Sequence, residues 1–128
     1  MLNQTIKKGL LITAVVFYIF AGYNHFANPS FYLTIIPPYL SLWASELNFL
    51  SGIIEIVLGL LLIPKKTRQY AAWAIILMLI AFIPSHIYFI QKGTFTLGGI
   101  TMNPTISWIR LLVVHPLLII WAWKISKK

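Results

Sequence analysis

Residues Leu50–Lys66 read "LSGIIEIVLGLLLIPKK", an apolar run of about one bilayer thickness with one carboxylate, Glu55, in its middle and two lysines at its end. A helix needs about 20 apolar residues to cross roughly 30 Å of hydrocarbon. A lone carboxylate there costs at least ~2.5–3.5 kcal/mol on insertion scales, so Glu55 has to be paired, protonated or hydrated. It marks a polar interior, and the surrounding residues specify a membrane helix.

The rest of the chain agrees with that reading. Of 128 residues, 59% are hydrophobic and 9% charged, with a mean hydropathy of +0.86. That composition lies far outside the soluble range. Four apolar runs, about 9–27, 45–64, 70–90 and 107–125, predict an all-α transmembrane four-helix bundle forming one domain over residues 1–128. The net charge of +8 does not point to nucleic acid, because the basic residues sit at the ends of apolar runs rather than along a water-exposed stripe. There is no cysteine, which excludes a thiol–disulfide relay.

Lys7, Lys8, Lys65, Lys66, Arg68, Lys124, Lys127 and Lys128 cluster at one end of the expected bundle, while Lys92 and Arg110 lie toward the other. Both termini are therefore expected in the cytoplasm. The short link "PKKTRQ" makes an antiparallel hairpin of spans two and three. The charge-free connection "NPSFYLTIIPPYLSLWA" belongs at headgroup level. The connection "QKGTFTLGGITMNPTIS", rich in Gly and Thr, reads as a flexible or hairpin-like cap.

Helical spacing aligns Tyr18, Ala21, Gly22 and His25 on span one, and Asn48, Ser51, Gly52, Glu55 and Gly59 on span two. Such small or polar stripes face other helices. Span three offers Ala74, Met78, Ala81 and Ser85, with a kink at Pro84 ahead of His86. On span four the α-helical period puts Arg110 about 140° round from His115. Counting about 1.5 Å per residue from the basic flanks puts Glu55 and His115 at one level near mid-membrane, with His25 about 12 Å above them. The expected site is a pocket open toward the outside, formed by His25, Glu55, His86, Arg110 and His115, with Glu55 and His115 paired at its floor.

Each candidate has a plain structural counterpart. Glu55 is either a functional acid or a hydrogen-bond hub between helices. Arg110 clamps a carbonyl or anionic head, or snorkels to the interface. The three histidines lack metal-ligand spacing, and no metal is expected. Glu46 reads as a helix-dipole partner. Trp73, Trp121 and Trp123 read as interfacial anchors.

Five stretches in order, "FYIFAGYNHF" (17–26), "NPSFYLTIIPPYL" (28–40), "SGIIEIVLGLLL" (51–62), "IPSHIYF" (83–89) and "WIRLLVVHPLLIIWAW" (108–123), together resemble the DoxX family of small four-span membrane proteins. The resemblance implies a four-helix bundle with polar positions at His25, Glu55 and Arg110. It departs at His86 and His115, where that family usually carries Asn and Gln, so it implies no shared proton relay. Relatives of that family include subunits of quinone-linked oxidoreductases, maturation factors and assembly chaperones.

The leading expectation is an accessory to membrane redox chemistry that binds a quinone-like or lipid-like ligand, a possible oxidoreductase subunit rather than an enzyme on its own. The alternative is a non-catalytic assembly or maturation factor for a membrane or exported client, and a proton or solute carrier comes third. The expected location is a bacterial cytoplasmic membrane, with the bilayer and a membrane protein or redox subunit as partners.

Overall fold

The computed structural model describes residues 3–127; Lys128, counted above among the basic flank, lies outside them. Helix α1 (Gln4–Ala27) leads into a short α2 (Pro29–Leu33) and a 3-10 helix (Pro38–Trp43) that runs on into α3 (Ala44–Leu61). Then come α4 (Lys65–Ala81), α5 (Ile83–Gln91), strands β1 (Phe95–Leu97) and β2 (Ile100–Met102), α6 (Pro104–Ile109), a π-helical turn (Arg110–Val114) and α7 (His115–Ser126). Read through these breaks, four helical stretches are long and apolar enough to cross a membrane: Gln4–Ala27, Pro38–Leu61, Lys65–Gln91 and Pro104–Ser126.

Local chemistry sets the ends. Asn3 caps α1 by accepting from the Ile6 amide at 2.8 Å, and Asn103 caps α6 by accepting from Ile106 at 2.9 Å, with Pro104 opening that helix. The second link is tighter than "PKKTRQ" suggests, because α4 already begins at Lys65. Arg68 bends back to the C-cap and turn that follow α3, donating to Leu62 O at 2.8 Å and Ile63 O at 2.7 Å. A cation at a helix C-terminus also opposes the negative end of its dipole. Pro84 breaks the third span as its position implied, with Phe82 joining α4 to α5.

The Gly-rich cap is a hairpin. Its strands pair Phe95 with Met102 and Leu97 with Ile100, and Gly98 and Gly99 turn the chain at φ of +58° and +80°. Two-residue hairpin turns with positive φ at both positions favour Gly-Gly. Leu97 is buried, and Gly98 backs onto Phe31, so the hairpin lies over α2.

Two helix pairs dominate the packing, α1 with α3 and α4 with α7. The first depends on glycine. A Cβ at Gly22 would lie 2.6 Å from the Gly52 carbonyl oxygen, and one at Gly52 would lie 2.8 Å from the His25 Cβ. Backbone therefore meets backbone, as in small-residue contacts between membrane helices. The apolar core, including Ala14, Leu62, Ala71, Ala72, Ile75, Leu79 and Ala122, fills the end of the bundle that carries the basic residues. On the third span it keeps Met78 of the expected stripe but is turned toward Ala71, Ala72, Ile75 and Ile76, with Ala74 and Ser85 half-buried and Ala81 exposed. Helix α4 packs on α7, which contributes Ala122 to the same core. Large apolar side chains such as Phe20, Leu42, Leu77 and Leu112 point outward, as lipid-facing residues do. Trp73 and Trp123 are among the outward ones, but Trp121 is not a surface anchor. Its Nε1–H donates to Leu10 O at 3.0 Å and its ring meets Phe17 edge-on, tying α7 to α1.

Candidate functional site

The five expected residues fall into two groups, not one pocket. His25 and Glu55 belong to the first, which lies between α1, α2 and α3. His86, Arg110 and His115 belong to the second, between α5, the π-helical turn and α7.

In the first group, His25 sits in the last turn of α1, opposite Gly52. Asn48, one turn before Gly52 on α3, donates its Nδ2–H to the main-chain oxygen of His25 at 3.0 Å. A main-chain carbonyl only accepts, so this bond fixes the amide with Oδ1 toward the ring, 2.7 Å from His25 Nδ1. Nδ1 therefore carries a hydrogen. The other ring nitrogen, Nε2, lies 3.5 Å from Glu55 Oε1. Both residues are more than nine-tenths buried. The second oxygen of Glu55 and the hydroxyl of Tyr18, which faces α3 beside Gly59, are buried without a hydrogen-bond partner among the described residues.

His25 partners Glu55, and His115 does not. Two features of the helix pair bring His25 and Glu55 closer than their residue counts imply. Gly22 opposes Gly52 and Tyr18 opposes Gly59, a register that carries Lys8 past the end of α3, so the two helices were measured from different floors. Side chains also lean toward the N-terminus of their own helix. In this antiparallel pair the Glu55 and His25 side chains lean toward each other.

Helix α2 closes over the pair. Tyr32 stacks on the His25 ring with centroids 3.7 Å apart and planes 17° from parallel. Its hydroxyl accepts from Asn24 Nδ2 at 2.8 Å, and Asn28 donates to Asn24 Oδ1 at 2.6 Å. Tyr32 lies outside the apolar helices. Burial holds its phenol above the ordinary value, Glu55 adds to the rise, and the Asn24 bond works against it. Beside this cover opens a cleft of about 260 Å³ with walls of Phe26, Pro29, Leu33 and Phe49 and polar groups from His25, Ser45 and Asn48.

The second group forms around two helix irregularities. His115 Nε2–H donates to Leu79 O at 2.6 Å, just before the Pro84 break, and the His86 ring meets the His115 ring edge-on at 4.4 Å. The guanidinium of Arg110 lies 3.9 Å from the centroid of Phe89, with Nη1 buried and without a hydrogen-bond partner among the described residues. The α-helical period separates Arg110 from His115. The π-helical turn closes a bond from the His115 amide to the Arg110 carbonyl, and its wider turn brings residues five apart nearly into line. Pro116, which has no amide hydrogen to give the preceding turn, was the signal for this irregularity.

Asn48, Tyr32 and Asn24 join the site although sequence reasoning did not place them in it. Asn48 was legible, lying seven residues before Glu55 on the same stripe. Tyr32 was concealed because its segment is short and was read as a connection. Glu46, in the first turn of α3, is exposed and apart from both groups, as a dipole partner should be. Among the described residues, no three His, Asp or Glu side chains converge as a metal site requires.

A family model described as domain of unknown function (DUF8561) matches residues 14–126, and the chain belongs to that family. No curated protein and no solved structure matches it.

Proposed function

For this member of the DUF8561 family, we propose an integral membrane protein that holds a small ligand with an apolar body and a hydrogen-bonding head, quinone-like or lipid-like, as an accessory to membrane redox chemistry. The observation that carries this reading is the cleft beside His25. Its aromatic and aliphatic walls suit an apolar ring or chain, and its polar side, the Ser45 hydroxyl and the second amide hydrogen of Asn48, suits a carbonyl or hydroxyl. The DoxX-like order of motifs supports the same class.

In this reading the basic end faces the cytoplasm of a bacterial cell, both termini included, and the hairpin end with its cleft faces outward. Cysteines placed singly at Lys66 and Thr96 then label from opposite sides of the membrane. The chain offers no cysteine thiol and no cluster of metal ligands among its described residues, so electrons would pass through the ligand or a partner subunit.

The test is extraction and mass spectrometry of the molecules that remain with gently solubilised protein, for the native chain and for Ser45→Trp, which fills the cleft from its rim. Enrichment of a quinone or a particular lipid over the bulk membrane, lost in Ser45→Trp, is the expected result. Identical profiles would favour the alternative, an assembly or maturation factor acting through its outer segments. Tyr39, Leu42 and Trp43 of the 3-10 helix, 71%, 84% and 57% exposed, would then be the contact with the client.

A further inference from the structure

We propose that His25 and Glu55 are one buried proton-binding site that carries a single shared proton, and that Asn48 is the positioning residue that makes it so. This deepens the reading of the cleft as a ligand site and rests on it only for the source and destination of the proton.

Asn48 holds its oxygen against His25 Nδ1 because its nitrogen is committed to the His25 carbonyl, so Nδ1 keeps a hydrogen. Nε2 then has two states, a second N–H or a bare lone pair, and it faces Glu55 Oε1 at 3.5 Å. With no proton between them, a lone pair opposes a carboxylate in a medium of low dielectric, which is costly. With one proton, two placements are equivalent in charge: imidazolium with carboxylate, or neutral imidazole with carboxylic acid. Both are neutral as a pair, which suits a helix interface in an apolar setting better than a lone charge does. No other cation in contact with the pair is needed to explain its burial.

Glu55 Oε2 accepts in both placements, and it has no partner. Among the described residues it is therefore the position of the pair still open to a donor. The other ionisable groups around the pair are the Tyr18 hydroxyl from α1 and the Tyr32 phenol from α2, which stacks on the imidazole and stands between it and the hairpin end.

The test is nitrogen-15 NMR of histidine-labelled protein in lipid nanodiscs near neutral pH, with the His25 signals assigned by their loss in His25→Gln. In the native chain Nδ1 is expected to be protonated. In Asn48→Leu, where Nδ1 has no acceptor, the protonated Nδ1 fraction should fall relative to the unprotonated one by about fivefold or more, the loss of one ordinary hydrogen bond. Asn48→Asp still accepts from Nδ1 and should keep Nδ1 protonated, which separates loss of the acceptor from general damage to the helix pair. In Glu55→Gln the amide N–H donates to Nε2, so Nε2 should carry no hydrogen, whichever placement the native chain favours, while Nδ1–H persists. An unprotonated Nδ1 in the native chain, an Asn48→Leu spectrum like the native one, or a persistent Nε2–H in Glu55→Gln would overturn the proposal. The NMR result does not depend on which molecule occupies the cleft. A native pattern as expected with no ligand retained would remove the cleft reading and leave the proton site standing, and the converse would remove the proton site alone.

Discussion

His115, on the fourth helical stretch, holds the main-chain oxygen of Leu79 on the third at 2.6 Å, in the turn that precedes the break at Pro84. The break disturbs the regular ladder of bonds there. The Phe82 amide divides itself between Met78 O and Leu79 O, and the imidazole supplies Leu79 O with a full donor. His115→Leu should therefore destabilise the bundle by about 1–3 kcal/mol, and His115→Gln by less, because its amide still donates. Reversible denaturation in mild detergent measures both. Combined with Glu55→Gln, His115→Gln should be additive to within about 0.5 kcal/mol, since the two residues share no partner. Larger coupling would reinstate a Glu55–His115 interaction.

The α1–α3 pair should be the most sensitive to added volume. Gly22→Ala places a methyl 2.6 Å from the Gly52 oxygen and 2.6 Å from Ile56 Cγ1, so the helices have to separate. About 1–3 kcal/mol of stability should be lost. Gly9→Ala, where nothing lies within 4 Å, should be neutral or stabilising by up to about 1 kcal/mol through helix propensity. Equal losses at the two positions would show that the cost lies in the backbone rather than in the close approach.

Much of this architecture was legible because it follows from one-dimensional signals. The four apolar stretches, the Pro84 break and the Gly98–Gly99 turn each depend on a local pattern that the surrounding protein does not override. Glu55 announced a polar interior by its cost in hydrocarbon, but not its partner, which depends on how α1 slides along α3. That register is set by Gly22 and Gly52, and by side chains leaning in opposite directions. Arg110 and His115 could not be aligned by a 3.6-residue period, because the turn between them is π-helical. The docking of Tyr32 on His25 requires a five-residue helix whose existence depends on what it packs against, although Asn28-Pro29 was a usable start signal.

The cover over the site should loosen in alkali. Burial, with Glu55 adding, raises the Tyr32 phenol above its ordinary value of 10.0. A docked Tyr32 thus stays protonated where an undocked one ionises. Docking is at full strength below pH 10 and weakens as pH rises above it, because ionisation favours the undocked state. A tyrosinate absorbance titration of the native chain minus Tyr32→Phe should show one phenol ionising above the ordinary range. A difference curve centred at the ordinary value would mean that Tyr32 is not held against His25.

Arg110 separates two explanations of the second group. Its guanidinium packs on Phe89 at 3.9 Å, while Nη1 is buried with no partner among the described residues. A desolvated cation without a full set of acceptors is costly, and an apolar side chain of similar length keeps the packing while removing that cost. Some stabilisation is lost with the cation–π contact, roughly 0.5–2 kcal/mol. If nothing else holds Arg110, Arg110→Met should leave the stability of the purified bundle within about 1 kcal/mol of native, the two effects offsetting. Arg110 does not line the cleft beside His25, so ligand retention there should also be unchanged. A loss of more than about 2 kcal/mol in lipid but not in detergent would mean that an anionic lipid head satisfies Nη1 in the membrane. Loss of the cleft ligand in Arg110→Met would join the two groups into the single pocket that their positions in the sequence first suggested.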